Sequence, residues 1–317
     1  MSEFHYKPAK EPTFYYIGVS TGKSSINRVF PRWAEYLGIG GTLFVGIDCK
    51  IHDDPKIYRE VVNFLKRDRF SLGALITSHK IDLFTAARDL FDKVDSYADL
   101  LGETSCISKR DQKLWAHAKD PITAGLSYES FIHTNHWENT GGEICILGAG
   151  GASLALSCYL MENLEKTNWP SKIHVTNRSK PRLEHMKKIH SFINPGIKIT
   201  YNYCPTFQHN DRIVNNLKPH SLVINGTGLG KDYPGSPLTD SVDFPELGMV
   251  WDFNYRGDLY FLVQARKQKE EKNLHIEDGW IYFLHGWTRV IAEVFHIIIP
   301  TSGPKFDAIS QIAAEVR

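Results

Sequence analysis

The feature that most constrains the fold of this chain is a repeated alternation of strand-like and helix-like segments. From Phe14 to Asp92 the spacing of apolar residues changes from that of a strand to that of a helix three times in succession. A second alternating series begins at Glu143. Alternation of strands and helices favours parallel sheets covered by helices. The sequence therefore predicts two α/β domains, one for each series.

The spacing of apolar residues also predicts bounds for these elements. In the first series the predicted strands are 14–19, 42–47 and 72–76, and the predicted helices are 27–36, 55–67 and 82–92. In the second series the predicted strands are 144–147, 172–176, 197–203, 221–225 and 249–253, and the predicted helices are 152–164, 180–193, 212–217 and 259–269. The polar, glycine-terminated segment 133–142 is the expected linker.

Composition excludes several classes of function. The chain has 317 residues, a length that suits two domains. Lys and Arg number 37 and Asp and Glu number 36, so a formal net charge of +1 offers no attraction for nucleic acid or an acidic membrane surface. The sequence has no apolar signal-peptide core, no apolar run long enough to span a bilayer, and no CxxC pair of a zinc site. We expect a cytoplasmic protein that binds no nucleic acid, membrane or metal.

The strongest local motif is ILGAGGAS, a glycine-rich turn between a predicted strand and a predicted helix. Such a turn lets backbone N–H groups approach a pyrophosphate at the N-terminus of the helix, where the helix dipole favours anions. Ser153 takes the place of the third glycine of GxGxxG, and glycine could serve here only to tighten the turn. The position of the motif at the start of the second series favours a dinucleotide site. The predicted phosphate-binding residues are Gly148, Ala149, Gly150, Gly151 and Ala152.

The next predicted strand ends in the basic segment TNRSKPR. A site for NAD usually has Asp or Glu at this point to bind the ribose 2′-hydroxyl. The planar donor fork of an arginine suits the 2′-phosphate of NADP instead. An ordinary solvated basic cluster is the alternative. The segment predicts NADP as the cofactor, held by Asn177, Arg178, Ser179 and Arg182.

A lysine follows the third predicted strand of the first series, in the segment LGALITSHK. Open α/β sheets bind ligands beyond the carboxyl ends of their strands. Partial burial would lower the pKa of the Lys80 ammonium group and make it a usable general acid or base. A lysine in such a place is more often a surface residue, so the argument for Lys80 depends on the motifs that accompany it.

Six motifs in one order resemble the shikimate dehydrogenase family over most of the chain. Lys80 in ITSHK corresponds to the lysine of the family motif NVTxPxK, and residues 95–102 are similar to its DxxAxxxGAxNT segment. ILGAGGAS is similar to the GAGGA turn, and residues 177–182 resemble the NRTxxR/K motif of members that use NADP. Residues 224–230 resemble INaTplG, beside the nicotinamide half of the cofactor, and 252–255 resemble DxxY.

This resemblance implies an organisation and a site. It implies an N-terminal α/β substrate domain of residues 1–132, completed by residues 278–317, and a Rossmann-type doubly wound NADP-binding domain of residues 133–277, with a cleft between them. The cofactor-binding residues that it adds are Asn225, Thr227, Gly228 and Leu229. The candidate substrate-binding residues are Ser24, Ser25, Thr77, Ser105, Tyr255 and His285, with His79 as a further candidate.

The substrate positions depart from the family pattern. The second serine of the SxS motif is Ile26, and the catalytic aspartate of NTDxxG falls at Ile122. A site without these hydrogen-bonding groups would leave hydroxyls of a polyol substrate unpaired, which such sites reject strongly. We therefore expect a substrate other than shikimate. Asp120 is the candidate carboxylate partner of Lys80, and a helix N-cap is its alternative role.

These features together predict an NADP-dependent oxidoreductase that acts on CH–OH groups. It would transfer hydride between NADP(H) and a small cyclic or carboxylated alcohol or ketone, with Lys80 as general acid/base and Asp120 orienting it or relaying a proton. Two alternatives remain open: a non-redox lyase or isomerase that uses Lys80, and a catalytically silent dinucleotide-binding sensor. The expected partners are a small-molecule substrate and a second copy of the chain in a homodimer.

Overall fold

The computed structural model describes residues 6–193, 196–231 and 233–316. These residues form two compact units. The first unit comprises the described residues up to Lys119 together with those from Leu284 onward, and the second is Asp120–Phe283. The predicted α/β class with two domains is confirmed. The predicted domain bounds, 1–132 with 278–317 and 133–277, stay a prediction.

The first unit is built around one six-stranded sheet. Its strands are β1 (Thr13–Gly18), β2 (Leu43–Asp48), β3 (Ser71–Ile76), β4 (Lys93–Val94), β5 (Cys106–Arg110) and β6 (Lys113–His117). Its helices are α1 (Ile26–Leu37), α2 (Pro55–Arg67), α3 (Lys80–Ala87), α4 (Ser96–Leu101) and α13 (Pro304–Ala314). The long helix α12 (Trp280–Phe295) contains the division between the units at Phe283 and Leu284.

The sheet of the first unit is mixed, which corrects the expectation of a purely parallel one. Its order is β2-β1-β3-β5-β6-β4. β1 lies parallel to β2 and β3, whereas β5 runs antiparallel to both β3 and β6. A two-residue turn with positive φ at Asp111 (49°) and Gln112 (60°) joins β5 to β6. Such a turn usually carries Asn-Gly or Asp-Gly. Because this turn carries Asp-Gln instead, the sequence does not predict the hairpin.

Two further local predictions are corrected by the structure. The helix predicted over 82–92 begins at Lys80 and ends at Ala87, so Lys80 is the first residue of this helix and not part of the connection before it. The predicted linker contains α6 (His136–Thr140). Trp137 of this helix is 1% exposed, and its indole N–H donates to the hydroxyl of Tyr128. The segment is therefore packed within the second unit, because burial of the indole outweighs its polar surroundings.

The second unit holds a fully parallel sheet of order β12-β11-β10-β7-β8-β9. This order is that of a Rossmann-type doubly wound sheet. Its strands are β7 (Ile144–Leu147), β8 (Ile173–Asn177), β9 (Ile199–Tyr203), β10 (Leu222–Asn225), β11 (Met249–Asp252) and β12 (His275–Glu277). Its helices besides α6 are α5 (Asp120–Glu129), α7 (Gly151–Asn163), α8 (Lys180–Ile193), α9 (Phe207–Val214), α10 (Tyr260–Lys267) and α11 (Lys269–Lys272).

Each unit has an apolar core that fixes its strands. In the first unit the rings of Phe14 and Phe30 contact each other at 5.5 Å, and both contact Phe44 of β2. In the second unit Val223 and Val250 of neighbouring strands are completely buried. Burial of such side chains stabilises a fold by roughly 1.5–3 kcal/mol each. None of the helices in the described part of the chain combines the length and the apolar character that a bilayer crossing requires.

Candidate active site

The glycine-rich turn of the second unit lies between β7 and α7. Gly148 has a φ of 106°, a conformation that residues with a Cβ rarely adopt. A Cβ added there would lie 2.9 Å from Cγ2 of Thr227 and 3.0 Å from the carbonyl oxygen of Gly226. At Gly150, in contrast, the nearest atom to an added Cβ is 3.9 Å away. The turn is therefore packed tightly on one side and open at Gly150.

This turn fits the phosphates of a dinucleotide. Gly150 is the N-cap of α7, and the first turn of the helix contains no acidic residue. The free backbone N–H groups at the helix N-terminus carry partial positive charge and favour an anion. The absence of a side chain at Gly150 lets a ligand approach the backbone closely. The donors and the space are those that a pyrophosphate requires.

Ser153 explains why the turn tolerates the loss of the third glycine. Its side chain is completely buried, and a Cβ added at Gly226 would lie 2.1 Å from its Oγ. The hydroxyl therefore occupies the space that a side chain at position 226 would need. Gly226 takes over the close approach that a third glycine would otherwise provide between the helix and the sheet.

The basic segment begins at the carboxyl end of β8. Asn177 is the last residue of the strand, and its Oδ1 accepts a hydrogen bond of 3.3 Å from the backbone N–H of Ser179. The side chains of Arg178 and Arg182 are exposed. Among the described residues no carboxylate lies within ion-pair distance of either guanidinium. Both arginines thus offer their donors to an anion rather than to a protein carboxylate.

The loop after β10 is the third cofactor candidate. Asn225, the last residue of β10, accepts hydrogen bonds at its Oδ1 from the backbone N–H of Thr227 (3.0 Å) and from the Thr227 hydroxyl (2.6 Å). Its Nδ2 donates to the carbonyl oxygen of Leu229 at 3.2 Å. The loop that contains Gly228 is therefore fixed at both ends by one amide side chain.

Asp252, the last residue of β11, lies beside Asn225 in the parallel sheet and is completely buried. Burial raises the pKa of its carboxyl group to about 7. Hydrogen bonds from Asn254 and Asn225 act in the opposite direction, and the charge of Asp278 raises the pKa further. Sequence reasoning missed Asn254 and gave Asp252 only as part of a motif. The sequence feature that could have indicated this cluster is a polar residue at the carboxyl end of each of two neighbouring strands.

Tyr255 lies in the second unit, where its ring contacts those of Trp280 (5.6 Å) and Phe283 (4.9 Å). The contact is aromatic packing at the start of α12. Its predicted substrate contact stays a prediction.

In the first unit a three-residue turn connects β3 to Lys80. Ser78 of this turn has a φ of 55°, and the backbone N–H of Thr77 donates to the carbonyl oxygen of Ile17 in β1. His79 is completely buried, and its Nδ1 lies 3.1 Å from the hydroxyl of Tyr58. The turn thus holds Lys80, which is half-buried, at the N-terminus of α3.

Several predicted substrate residues cluster at the carboxyl ends of β1 and β3. Thr77 Oγ1 would lie 3.0 Å from a Cβ added at Gly18, the last residue of β1. Ser24 and Ser25 follow in the loop to α1, where Ser25 is the N-cap and both are half-buried. The backbone N–H of Ser24 donates to the carbonyl oxygen of Thr21 at 3.1 Å. The sheet thus brings Thr77 to the loop of the serines, as expected for ligand-binding residues in an α/β sheet.

Ser105 and Asp120 are linked through the backbone. Ser105 is 3% exposed, and its Oγ accepts a hydrogen bond of 2.8 Å from the N–H of Lys119. This bond fixes the residue that directly precedes Asp120. Asp120 is half-buried and is the first residue of α5. The alternative to its role as the partner of Lys80, a helix N-cap, also belongs to this end of a helix.

The structure also reveals a buried glutamate, adjacent in the chain to a residue that binds the backbone of Lys80, that sequence reasoning missed. Glu103 is 6% exposed, and the N–H of the next residue, Thr104, donates to the carbonyl oxygen of Lys80 at 3.2 Å. The family motif GAxNT has alanine at this position, so the replacement of a small apolar residue by glutamate was the available signal.

His285 lies in the first unit and is 2% exposed. Its ring stacks on Phe306 of α13 at 4.6 Å, and burial together with the charge of Arg289 lowers its pKa to about 4. The imidazole is therefore neutral at physiological pH. The predicted contact of His285 with a substrate stays a prediction.

The comparisons with known proteins agree with this geometry. No protein-family model matches the chain. The shikimate dehydrogenase (NADP(+)) of Methanococcus aeolicus is 25% identical over 215 residues, which are 67% of this chain and 68% of the relative. The enzyme of the same name from Ruegeria is 26% identical over 218 residues, 68% of each chain. The chain thus matches about two thirds of each relative.

Solved structures match nearly the whole chain and share its fold. Shikimate 5-dehydrogenase from Thermus thermophilus, in complex with NADP(H) and shikimate, has a TM-score of 0.69 and 19% identity, covering 96% of this chain and 100% of that one. Quinate dehydrogenase from Corynebacterium glutamicum with NAD has a TM-score of 0.70 and 18% identity, with coverages of 96% and 99%. 5-Ketofructose reductase from Gluconobacter has a TM-score of 0.67 and 17% identity, with coverages of 97% and 99%.

The sequence comparison and the structure comparison therefore both find shikimate dehydrogenases. The curated relatives share a name, and the structural neighbours share the two-domain α/β fold. The low identity agrees with the departures at the substrate positions. The chain is therefore similar in sequence and in fold to shikimate dehydrogenases.

Proposed function

We propose that this protein is an NADP-dependent oxidoreductase acting on a small cyclic or carboxylated alcohol or ketone other than shikimate. The relatives support a dehydrogenase-type oxidoreductase, since their names cover shikimate, quinate and 5-ketofructose as substrates. The observation that carries the cofactor assignment is the end of β8. Arg178 and Arg182 are exposed there, where a site for NAD would have a carboxylate.

Three segments of the second unit would hold NADP. The turn at Gly150 and Gly151 would bind the pyrophosphate through backbone N–H groups, and Arg178 would bind the 2′-phosphate through its guanidinium. The loop that contains Thr227 and Leu229 would position the nicotinamide end. When bound, this cofactor supplies or accepts the hydride. The protein supplies orientation, the exclusion of water and a proton.

Lys80 is the proposed general acid/base of the substrate side. Its ammonium group would donate a proton to the oxygen of a ketone as that oxygen gains charge, and would recover it in the reverse direction. Ser105 fixes the backbone before Asp120, the proposed partner that orients the lysine. Glu103 is a second carboxylate candidate for this role, because the next residue binds the backbone of Lys80. The apolar replacements in the family motifs support a substrate with fewer hydroxyls than shikimate.

The first experiment titrates NADPH and NADH separately into the purified protein and follows fluorescence. We expect tighter binding of NADPH, and we expect Arg178→Ala to weaken it by ~1–3 kcal/mol, since a charged hydrogen bond is lost. Affinity for NADH should stay unchanged in this variant. Arg212→Ala is the matched control, because Arg212 is an exposed arginine of α9, outside the turn and the basic segment.

Other results would overturn the proposal. A preference for NADH would contradict the role of Arg178 at the 2′-phosphate. Binding of neither nucleotide would reduce the glycine turn to a structural feature and remove the dehydrogenase assignment.

A second experiment separates the catalytic alternatives. Lys80→Ala should abolish turnover of any substrate found by screening while NADPH affinity is retained. Asp120→Asn and Glu103→Gln should be compared under the same conditions, and the larger loss of kcat identifies the carboxylate partner. Turnover with no change in NADPH absorbance would favour a lyase or isomerase. Ligand-dependent partner binding that survives Lys80→Ala would favour a sensor.

We also propose a homodimer, on the basis of the edge strand β2. This strand ends the sheet of the first unit, and its Leu43 and Val45 are 42% and 39% exposed. An exposed edge with apolar side chains invites pairing with another chain. Sedimentation velocity should give twice the monomer mass of 36.1 kDa. A monomer at micromolar concentration would contradict the proposal.

A further inference from the structure

The segment from β10 to Gly230 is held by side chains at and just beyond the ends of β10 and its neighbour β11. Asn225 and Asp252 end β10 and β11, are paired in the parallel register, and are both completely buried. The Nδ2 of Asn225 donates to Oδ2 of Asp252 at 3.1 Å. Because β10 and β11 both end at this point, the side chains of Asn225 and Asp252 lie directly beside the loop that follows β10.

Asn254 completes the arrangement from the other side of the carboxyl group. Its backbone N–H and its Nδ2 both donate to Oδ1 of Asp252 at 2.8 Å. The same Nδ2 donates to the carbonyl oxygens of Thr227 (3.0 Å) and Leu229 (3.3 Å). Both asparagines therefore bind the loop directly and are in turn oriented by one shared carboxyl group.

The loop fixed in this way forms one wall of the glycine-rich turn. The carbonyl oxygen of Gly226 and Cγ2 of Thr227 lie within 3.0 Å of a Cβ built at Gly148. Ser153 of α7 lies against Gly226 on the other side of the same contact. A displacement of the loop would therefore change the shape of the cofactor site on the side of the turn that the loop forms, which is the side proposed for the nicotinamide end.

We propose that Asp252 is a positioning residue that sets the conformation of the 226–230 loop and, through it, the binding of the nicotinamide half of the cofactor. The inference rests on the proposed function for the identity of the ligand, but not for the structural effect on the loop. Asp252 acts through Asn225 and Asn254, and its own carboxyl group is buried beneath them. Its removal should affect one half of the cofactor and leave the other half unaffected.

The first test measures the loop directly, without cofactor. Hydrogen exchange of the backbone amides of Thr227 and Leu229 should be faster in Asp252→Asn, since the new amide meets the Nδ2 of Asn225 with a donor instead of an acceptor. Exchange in β7 and β8 should stay unchanged. Asp243→Asn is the matched control, because Asp243 is an exposed aspartate paired with Lys272 in the same unit. Unchanged exchange of the loop in Asp252→Asn would overturn the inference.

The second test compares two probes of known structure. Affinity for NADPH should fall by about tenfold or more in Asp252→Asn, as expected for lost hydrogen bonds to the Asp252 carboxyl group. Affinity for adenosine 2′,5′-bisphosphate, which lacks the nicotinamide half, should match that of the wild-type protein. An equal loss for both probes would assign Asp252 a general structural role and reject the positioning role.

A second variant guards against loss of folding. Asn254→Ala keeps the carboxyl group but removes the Nδ2 that binds the two loop carbonyls, and it should reproduce both effects in weaker form. Failure of the wild-type protein to bind NADPH at all would reject the proposed function, whereas the hydrogen-exchange result would still decide the role of Asp252 in the loop.

Discussion

At the scale of single residues, Asp252 shows how burial and hydrogen bonding act on one carboxyl group in opposite directions. Desolvation is the larger effect and raises the pKa from 3.8 to about 7, although two asparagines donate to the ionised form. Ionisation in the native protein is therefore costly near neutral pH. The residue is kept in place by geometry rather than by its charge.

This shift predicts a dependence of stability on pH. Below about pH 4 the carboxyl group is protonated in both the native and the unfolded chain, and its contribution to stability is fully present. Between about pH 4 and 7 the native chain keeps a proton that the unfolded chain has lost. The contribution to stability therefore falls as pH rises and is lost once pH exceeds the native pKa of about 7. Three pKa units correspond to roughly 4 kcal/mol.

Urea denaturation of the wild-type protein and of Asp252→Asn between pH 4.5 and 8 measures this effect. The difference in the free energy of unfolding, wild type minus variant, should decrease as pH rises. A difference that is constant with pH would mean that Asp252 is ionised throughout.

At the scale of elements, the contact between α7 and the loop after β10 depends on one small residue on each side. Gly226→Ala should destabilise the protein by about 1–3 kcal/mol, because the new Cβ would meet Oγ of Ser153 at 2.1 Å. The double variant Ser153→Ala with Gly226→Ala should recover most of this loss, since Cβ of Ser153 lies 3.5 Å away. A double-mutant cycle in urea checks the prediction. Additive effects of the two changes would show that the contact is absent.

The hairpin β5–β6 gives a second prediction at this scale. Gln112 has a φ of 60°, in the left-handed region that costs a residue with a Cβ about 1–2 kcal/mol. Gln112→Gly should therefore stabilise the protein by roughly 0.5–1 kcal/mol, allowing for the greater freedom of glycine in the unfolded chain. Glu165→Gly in the second unit, at an exposed position with a φ of −63°, is the control and should destabilise. Thermal denaturation distinguishes the two outcomes.

At the scale of the whole molecule, buried histidines oppose the effect of Asp252. His190 lies between Ser157 (2.8 Å) and Tyr201 (2.7 Å), and burial lowers its pKa to about 4. His285 has a pKa of about 4 as well. A histidine that is neutral in the native protein contributes stability that is lost as pH falls below about 6.5, because the unfolded chain then binds the proton more strongly.

The two histidines together change the free energy of unfolding more than the one aspartate does. The free energy of unfolding should therefore be highest near neutral pH and should fall between about pH 6.5 and 4 by about 3 kcal/mol. Urea denaturation across this range tests the sum of the effects in both units. A protein that becomes steadily more stable down to pH 4 would contradict the native pKa values of both histidines.

The same scales separate what could be predicted from the sequence. Strands with continuous apolar runs, such as Ile144–Leu147, were found with correct bounds because local pattern suffices for them. The hairpin β5–β6 was missed because its turn lacks glycine, and β12 because three residues carry little pattern. Among the site residues, Gly148 and Arg178 follow from local motifs. Asn254 and Glu103 do not, since their significance comes from strands distant in the chain.

The sequence by itself determined the α/β class, the two series of elements and the cofactor motifs, because apolar periodicity and glycine turns are encoded by neighbouring residues. Only the tertiary structure decided that the first sheet is mixed, that Lys80 begins a helix, and that Asn225 and Asp252 meet at adjacent strand ends. The physical reason is that strand pairing and burial join residues far apart in the chain. A carboxyl group acquires its pKa and its hydrogen-bond partners only when those strands pair.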